Sequence, residues 1–506
     1  MRDTMDAGAA GTMDAGAGGT TDDPSGDAGH DQGGGTSAGT GGSTGTAGSK
    51  GSAGNAGTAG SAGTAGSGGG SGCATACASY QFCSSNKCLP TYASTRVLPT
   101  TDQTSGYGQI SSAVVLTNKP QGDVIVQFSE SSSELLLSDP GASMLTYLAG
   151  SGYARYTADG TLAWSRTSKN LTGSTDVSRE SALALVPPTD FALSYVQYVS
   201  PTGPTTPKYF YHLVRINGNT GNAAWDVKYP NEISANSRSL FVVPRPAQSD
   251  FLTLYPSLSR EGAGPACAVT DSGTAGSVTC SGSSYAIAVA PSADGTTAWI
   301  WGAPGTTGSL PLNPLTTEKW AFTGNPFQYG GEDAFILGVR GASTSVGAWM
   351  TEGDYGPRLA LAALPGGDLA VTAEGNGYMN FNGGQSLLAQ TGNVLFRLAT
   401  STGQILWRTP LAQAPTSLIA APGGRIAVLH NGATSDPSSV QVFDGTSGAL
   451  LSTLPLPPSV SQQVLAAGQT DLFVIGDYSS AFDFNPGSGT DKPSSTRGVY
   501  ISRYSF

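Results

Sequence analysis

Seven passages of this chain share one pattern of apolar and polar positions. Each is an apolar run, a tight turn and a second apolar run. They span residues 113–128, 182–196, 240–254, 285–301, 359–373, 418–429 and 464–475. Their turns centre on Gly122 and Asp123, Asp190, Asp250, Asp294 and Gly295, Gly367 and Asp368, Gly423 and Gly424, and Asp471. Apolar runs on both sides of a short polar turn predict β-hairpins. Seven copies of one hairpin point to a repeat architecture before any single propensity is weighed.

A second hairpin follows the first in most copies. In 153–164 it carries Arg155, a turn at Asp159 and Gly160, and Trp164. In 212–225 it carries Arg215, Gly221 and Trp225, and in 394–407 Arg397, Gly403 and Trp407. Looser copies are 335–349, with Arg340, and 440–454, with a turn at Ser447 and Gly448. Gly in each turn supplies the positive φ that tight hairpins require. The recurring Trp is expected to pack between neighbouring sheets, the common use of a large aromatic at a fixed repeat position. Trp164 and Trp225 lie 61 residues apart, Trp225 and Trp349 lie 124 apart, and Trp349 and Trp407 lie 58 apart. Two hairpins per sixty residues make a four-stranded unit. Seven such units predict an all-β, about seven-bladed β-propeller of four-stranded antiparallel blades.

The chain end shows how the ring should close. Residues 499–504 match the third strand of the repeat, Arg503 included, and the chain stops at Phe506 without a fourth. Residues 95–98 are the natural donor of the missing strand, because closure protects an open edge.

Composition divides the chain into three parts. Residues 1–72 contain no Leu, Ile, Val, Phe, Tyr or Trp, so they cannot build a core and are expected to be a disordered Gly/Ala/Ser/Thr-rich tether. Residues 73–88 hold four cysteines, and 89–506 carry the repeats. The tether carries −5 of the formal −11 charge. The remainder is mildly acidic, which argues against nucleic acid. No apolar run is long enough to span a membrane.

Cys73, Cys77, Cys83 and Cys88 are expected to form a small disulfide knot of undetermined pairing. Cys267 and Cys280 fit a cross-strand disulfide over the turn at Asp271, Ser272 and Gly273. A zinc site made by the first four is the weaker reading, because the C-x2-C knuckle is missing. Disulfides imply an oxidising compartment. The start at Met1 has no apolar export segment, so a signal peptide upstream of it, and possible lipid anchoring, are part of the expectation.

Gly476, Asp477 and Tyr478, followed by 482–490 with Phe482, Asp483, Phe484 and Asn485, and then 498–504, resemble the bacterial β-propeller repeats labelled SBBP. Residues 377–396 are a weaker copy, and the Thr-Gly-x-x-x-Trp hairpins are similar to quinoprotein-like repeats. The order tether, cysteine knot, propeller resembles secreted or lipid-anchored surface proteins of myxobacteria. The resemblance implies a location at the extracellular or outer cell surface more than an activity. Quinoprotein dehydrogenases normally have eight Trp-bearing blades and often a vicinal Cys pair, and this chain departs from both.

Little in the sequence carries chemistry. Residues 41–45 spell G-x-S-x-G, but within the tether, with no strand before or helix after. The three histidines, His30, His212 and His430, show no metal-ligand spacing. Asp483, Asn485 and Asp491 could offer oxygens to Ca²⁺, though Asp and Asn also make turns. Trp299, Trp301, Trp320 and Phe327, in or near the longest loop excursion, are the candidate ligand contacts, against the reading that they pack the fourth blade. The expectation is a monomeric, non-enzymatic binding or scaffold module for a surface protein or glycan, with no cofactor. The alternative is an enzyme, quinoprotein-like or metal-dependent, that uses the central channel.

Overall fold

Seven antiparallel blades follow one another along the chain, as the hairpin pattern predicts, two of them fused into one sheet. This computed structural model describes residues 81–84, 87–99, 110–128, 135–137, 147–148, 151–169, 177–200, 207–233, 238–256, 264–284, 286–302, 309–311, 319–321, 334–340, 344–355, 360–381, 385–388, 392–430, 432, 438–457, 463–478, 482–485 and 498–506. The tether, Cys73, Cys77, Phe327 and Asp491 lie outside them.

Blade 1 is Ile110–Val115, Val124–Phe128, Gly152–Tyr156 and Leu162–Thr167. Blade 2 is Ala184–Val186, Asp190–Val199, Lys208–Asn217 and Asn222–Ile233, with Val177–Glu180 added beside its second strand. Blade 3 is Phe241–Arg245, Asp250–Leu254, Gly264–Asp271 and Gly276–Ser284. Blade 4 begins Ala286–Pro291 and Thr297–Gly302, then Ala334–Arg340 and Thr344–Tyr355. Blade 5 is Ala360–Ala363, Leu369–Phe381, Gly392–Leu398 and Ile405–Leu411. Blade 6 is Ser417–Ala421, Arg425–His430, Ser439–Asp444 and Leu450–Pro455. Apolar clusters fill the spaces between consecutive sheets, each drawing residues from two blades.

Blade 7 supplies Val464–Ala467, Asp471–Tyr478 and Gly498–Ser505, and its fourth strand comes from the other end of the chain. That strand runs Lys87–Pro99, longer than the four residues expected, and pairs from Thr91 opposite Ser505 to Pro99 opposite Gly498. Leu98 on it is fully buried. Arg96 donates to the carbonyls of Gly160 and Leu137 in the blade 1 region, at 2.6 and 2.8 Å. Thr470 and Gln469 of blade 7 donate to the carbonyls of Pro120 and Thr117. The first and last blades are therefore joined by side chains as well as by the shared strand.

Blades 4 and 5 are not separate sheets. Leu369–Phe381 outruns its four-residue inner partner, and its far half pairs with Thr344–Tyr355. The fusion gives one nine-stranded sheet. Cys267 and Cys280 face each other across blade 3 and form a disulfide with a Cα–Cα distance of 4.1 Å. Cys83 and Cys88 are opposite each other in the short pair formed by Gln81–Ser84 and the start of the closing strand.

The Trp of the second hairpin locks one blade to the next. Trp164 Nε1 donates to the carbonyl of Gly218 in blade 2 at 2.9 Å, and Trp407 Nε1 to that of Gly445 in blade 6 at 3.1 Å. Trp225 Nε1 donates to Asp271 of blade 3. The turn that receives the indole needs glycine twice over. Gly221 has φ 69°, and a Cβ there would lie 2.8 Å from the Trp164 ring. Gly448 has φ 72° and would meet the Trp407 ring at 2.5 Å.

Candidate functional site

Inner strands of a propeller pair on one side only, so their free edges face the axis. Five of them, from blades 2 to 6, wall a cavity of about 680 Å³. Its wall includes Leu185, Val242, Ile287, Val289, Leu361 and Leu418. The inner strands are short, and Pro187, Pro244 and Pro291 line the cavity near their ends. Proline removes an edge N–H, so the channel resists capture of another β-strand while keeping apolar area free for a ligand. The volume falls within the range of small-molecule and side-chain pockets, roughly 300–1,000 Å³.

Polar groups on this wall are few. Among the described residues, Asp294 is its one carboxylate. It is committed to its own turn, accepting from the Ser292 and Thr296 hydroxyls and the Thr296 N–H. The Ser292 hydroxyl, the Thr296 N–H and the Thr296 hydroxyl hold its carboxyl below the usual range. It is a turn-forming anion that stays ionised, not a base poised near neutrality.

Acidic and basic side chains gather elsewhere, at the rim formed by the inner hairpin turns. Asp123 pairs with Arg155 in blade 1, both buried. Asp190 pairs with Arg215, Asp368 with Arg397 and Asp471 with Arg503, at 2.6, 2.6 and 3.1 Å. Blade 3 achieves the same with Arg245, on its first strand, and Asp250, at 2.6 Å. In three of these pairs a further guanidinium nitrogen reaches a carbonyl in the next blade around the ring. Arg155 reaches Gly218, Arg397 reaches Gly445 and Arg503 reaches Ala158. The turn Asp and the third-strand Arg are each visible in the sequence. Their pairing is not, because the partners lie 25 to 32 residues apart. That recurring separation is the signal that could have found it.

A different polar group lies between blades 1 and 2. His212 Nδ1 is 3.0 Å from Asp226 and 3.1 Å from the Tyr195 hydroxyl, which donates to the same carboxylate. Gln127 Nε2 donates to Glu180 at 3.1 Å and lies 3.5 Å from the Tyr153 hydroxyl. Burial, then the charge of Glu180, pushes the Tyr153 phenol well above its usual value, and burial with the charge of Asp226 raises Tyr195. Both phenols stay protonated and act as donors.

The structure disperses the residues singled out from sequence. Trp299 and Trp301 are buried in the core shared by blades 4 and 5, with Trp301 6.1 Å from Phe396 between ring centroids. Neither lines the channel. Trp320 lies opposite Leu310 in a separate two-stranded pair, and Phe327 is outside the described residues. Asp483 accepts the N–H of Asn485 at 3.1 Å, a turn interaction, while Asp491 is outside the described residues. Among the described residues no three of His, Cys, Asp and Glu gather to hold a metal ion. His430 is buried beside Gln441, far along the chain from His212.

No family model matches the chain, and no curated protein matches it. Solved structures are similar to it. The β-propeller domain of Cps50 (Swd1) from Myceliophthora thermophila is 8% identical, over 81% of this chain and 99% of that one, with a TM-score of 0.41. BamB from Moraxella catarrhalis is 10% identical over 82% and 99%, with a TM-score of 0.34. Sqt1 from Chaetomium thermophilum, solved bound to the N-terminus of ribosomal protein L10, is 11% identical over 79% and 98%, with a TM-score of 0.40.

Proposed function

We propose that this propeller is a non-catalytic binding module whose central channel receives an apolar segment of a protein partner outside the cell. The apolar channel wall carries this reading. It offers Leu, Val, Ile and Pro surface to a ligand, and its one described carboxylate is spent on a turn. A protein segment suits such a wall better than a glycan, which demands hydrogen-bond partners for every hydroxyl. A catalytic channel would need a proton-transfer group on the wall, and Asp294 is held away from that task. The closed Cys267–Cys280 disulfide supports an oxidising compartment, as does the low share of charged residues. The SBBP-like and quinoprotein-like motifs and the myxobacterial surface-protein order belong to the same reading.

A peptide library panned on the purified protein tests the channel. Enriched peptides should carry apolar anchors and lose binding to Ala293→Arg, a change at an exposed position of the lining, while that variant keeps its unfolding midpoint. Enriched peptides that bind the variant equally well would move the site off the channel. Protease accessibility of the protein on intact cells tests the location.

A further inference from the structure

We propose that the seam between blades 1 and 2 binds an organic cation bearing N–H donors, an ammonium or a guanidinium, through Gln127, Glu180, His212 and Asp226. The inference is independent of the channel.

The hydrogen-bond accounts of this seam leave acceptors over. Gln127 is 1% exposed, and its Nε2 faces Glu180, which fixes the amide orientation. Its Oε1, on the same carbon, is buried and has no partner. The second carboxylate oxygen of Glu180, Oε1, is likewise buried without a partner. His212 is 8% exposed and stacks on Tyr195. A carboxylate only accepts, so His212 Nδ1 must carry the proton it shares with Asp226. In the neutral ring that leaves Nε2 as an acceptor, and it too is buried without a partner. A buried polar atom left unpaired costs about 1–3 kcal/mol, and here three acceptors are involved.

The two halves meet at Tyr195. Glu180 is its partner in the strand register, and the charge of Glu180 reaches the Tyr195 phenol. Tyr195, His212 and Asp226 all lie on the face of blade 2 turned to blade 1, opposite Trp225, which faces blade 3. The seam therefore holds two carboxylates, and among the described residues neither has a Lys or Arg partner. Asp226 keeps 28% of its side-chain area exposed, which opens the group to solvent at the outer strand. The unmet groups are acceptors and the local charge is negative, so a ligand that fits them is a donor and a cation. A metal ion fits poorly, because among the described residues Glu180, His212 and Asp226 do not close around a single ion.

Calorimetric titration of the full chain tests this. The probes are N-acetyl-arginine amide and methylammonium, with tetramethylammonium, a cation without N–H groups, as the control at matched ionic strength. Saturable binding of either N–H cation, with none of tetramethylammonium, is expected. Binding of only the arginine amide would point to a basic side chain of a partner, and binding of methylammonium to a free amine. Glu180→Gln and Asp226→Asn should each weaken the interaction by about tenfold or more, the scale of a charge-assisted hydrogen bond. Asp226 lies on the outer strand and keeps part of its side chain exposed, so its variant reads the seam independently of Glu180→Gln. Ala293→Arg, at an exposed position in the channel, should leave the titration unchanged. Equal binding of tetramethylammonium, no effect in a folded Asp226→Asn, or no saturable heat with either N–H cation overturns the proposal.

Discussion

The rim of the inner turns and the seam between blades 1 and 2 use the same residue types to opposite ends. At the rim, Asp123, Asp190, Asp250, Asp368 and Asp471 each face a guanidinium. The pairs are buried or nearly so, and several reach into the following blade. At the seam, Glu180 and Asp226 have only neutral or His partners, and acceptors remain unmet. A charge closed on itself within the repeat is architecture. A charge left open against the repeat's own habit is where a ligand should be sought.

The largest effect should come from breaking the ring that makes the rim continuous. Deleting residues 87–99 removes the outer strand of blade 7 and the Arg96 bonds to the blade 1 region. It exposes the whole edge of Gly498–Ser505. Cooperative thermal unfolding should be lost. A sharp transition at the parent midpoint would show that the first and last blades hold together without the shared strand.

Next in size is Asp123→Asn at the rim. Asp123 is 1% exposed, and its loss leaves the Arg155 charge buried. Breaking a buried pair in this way costs about 3–5 kcal/mol. Denaturant unfolding should show it. The double change Asp123→Leu with Arg155→Met should recover most of the loss, because no lone charge remains. If the single variant is as stable as the parent, the rim pairs are ornaments of the fold and the contrast with the seam fails.

The same carboxylate-to-amide change at the seam should behave differently. Glu180→Gln removes a charge that has no cationic partner among the described residues, so its effect on stability should stay within about 1 kcal/mol and can be favourable. A loss as large as that of Asp123→Asn would mean that Glu180 is as fully compensated as the rim carboxylates.

Much of the rim was legible and the seam was not, for the same physical reason. Hairpins are local, so period-two apolar runs around Gly and Asp reveal all seven inner turns. The Trp four residues after Gly160, Gly221 and Gly403 marks the outer turns, and the truncated repeat at 499–504 points to the closing strand. The closing strand begins earlier than its apolar residues suggest, because backbone pairing continues through Tyr92 and Thr91. The fusion of blades 4 and 5 stayed hidden, since the repeat pattern ends its hairpin at residue 373 while the strand runs on to Phe381. The seam draws Gln127, Glu180, Tyr195, His212 and Asp226 from five strands, and no spacing repeats to announce it. Trp299 and Trp301 pack the core shared by blades 4 and 5, because an apolar residue type alone does not tell a core contact from a binding face.

The smallest effect is confined to alkaline solution, where it separates the seam from the rim by charge alone. Tyr153 has its phenol raised by burial first and by Glu180 second, above the usual 10.0. The folded protein therefore keeps this proton at pH values where the unfolded chain has released it. Stability from this proton is fully present below pH 10 and is lost as the pH rises through and above that value. The parent should thus show a falling unfolding midpoint above pH 10, and Tyr153→Phe should flatten part of that fall. Glu180→Gln should flatten it less, because it removes the second cause and leaves the first. The rim variant Asp123→Asn should keep the parent slope, since no rim carboxylate raises this phenol. An unchanged slope in Tyr153→Phe would mean that the phenol exchanges its proton freely with solvent, and the seam would then be wetter than its unmet acceptors imply.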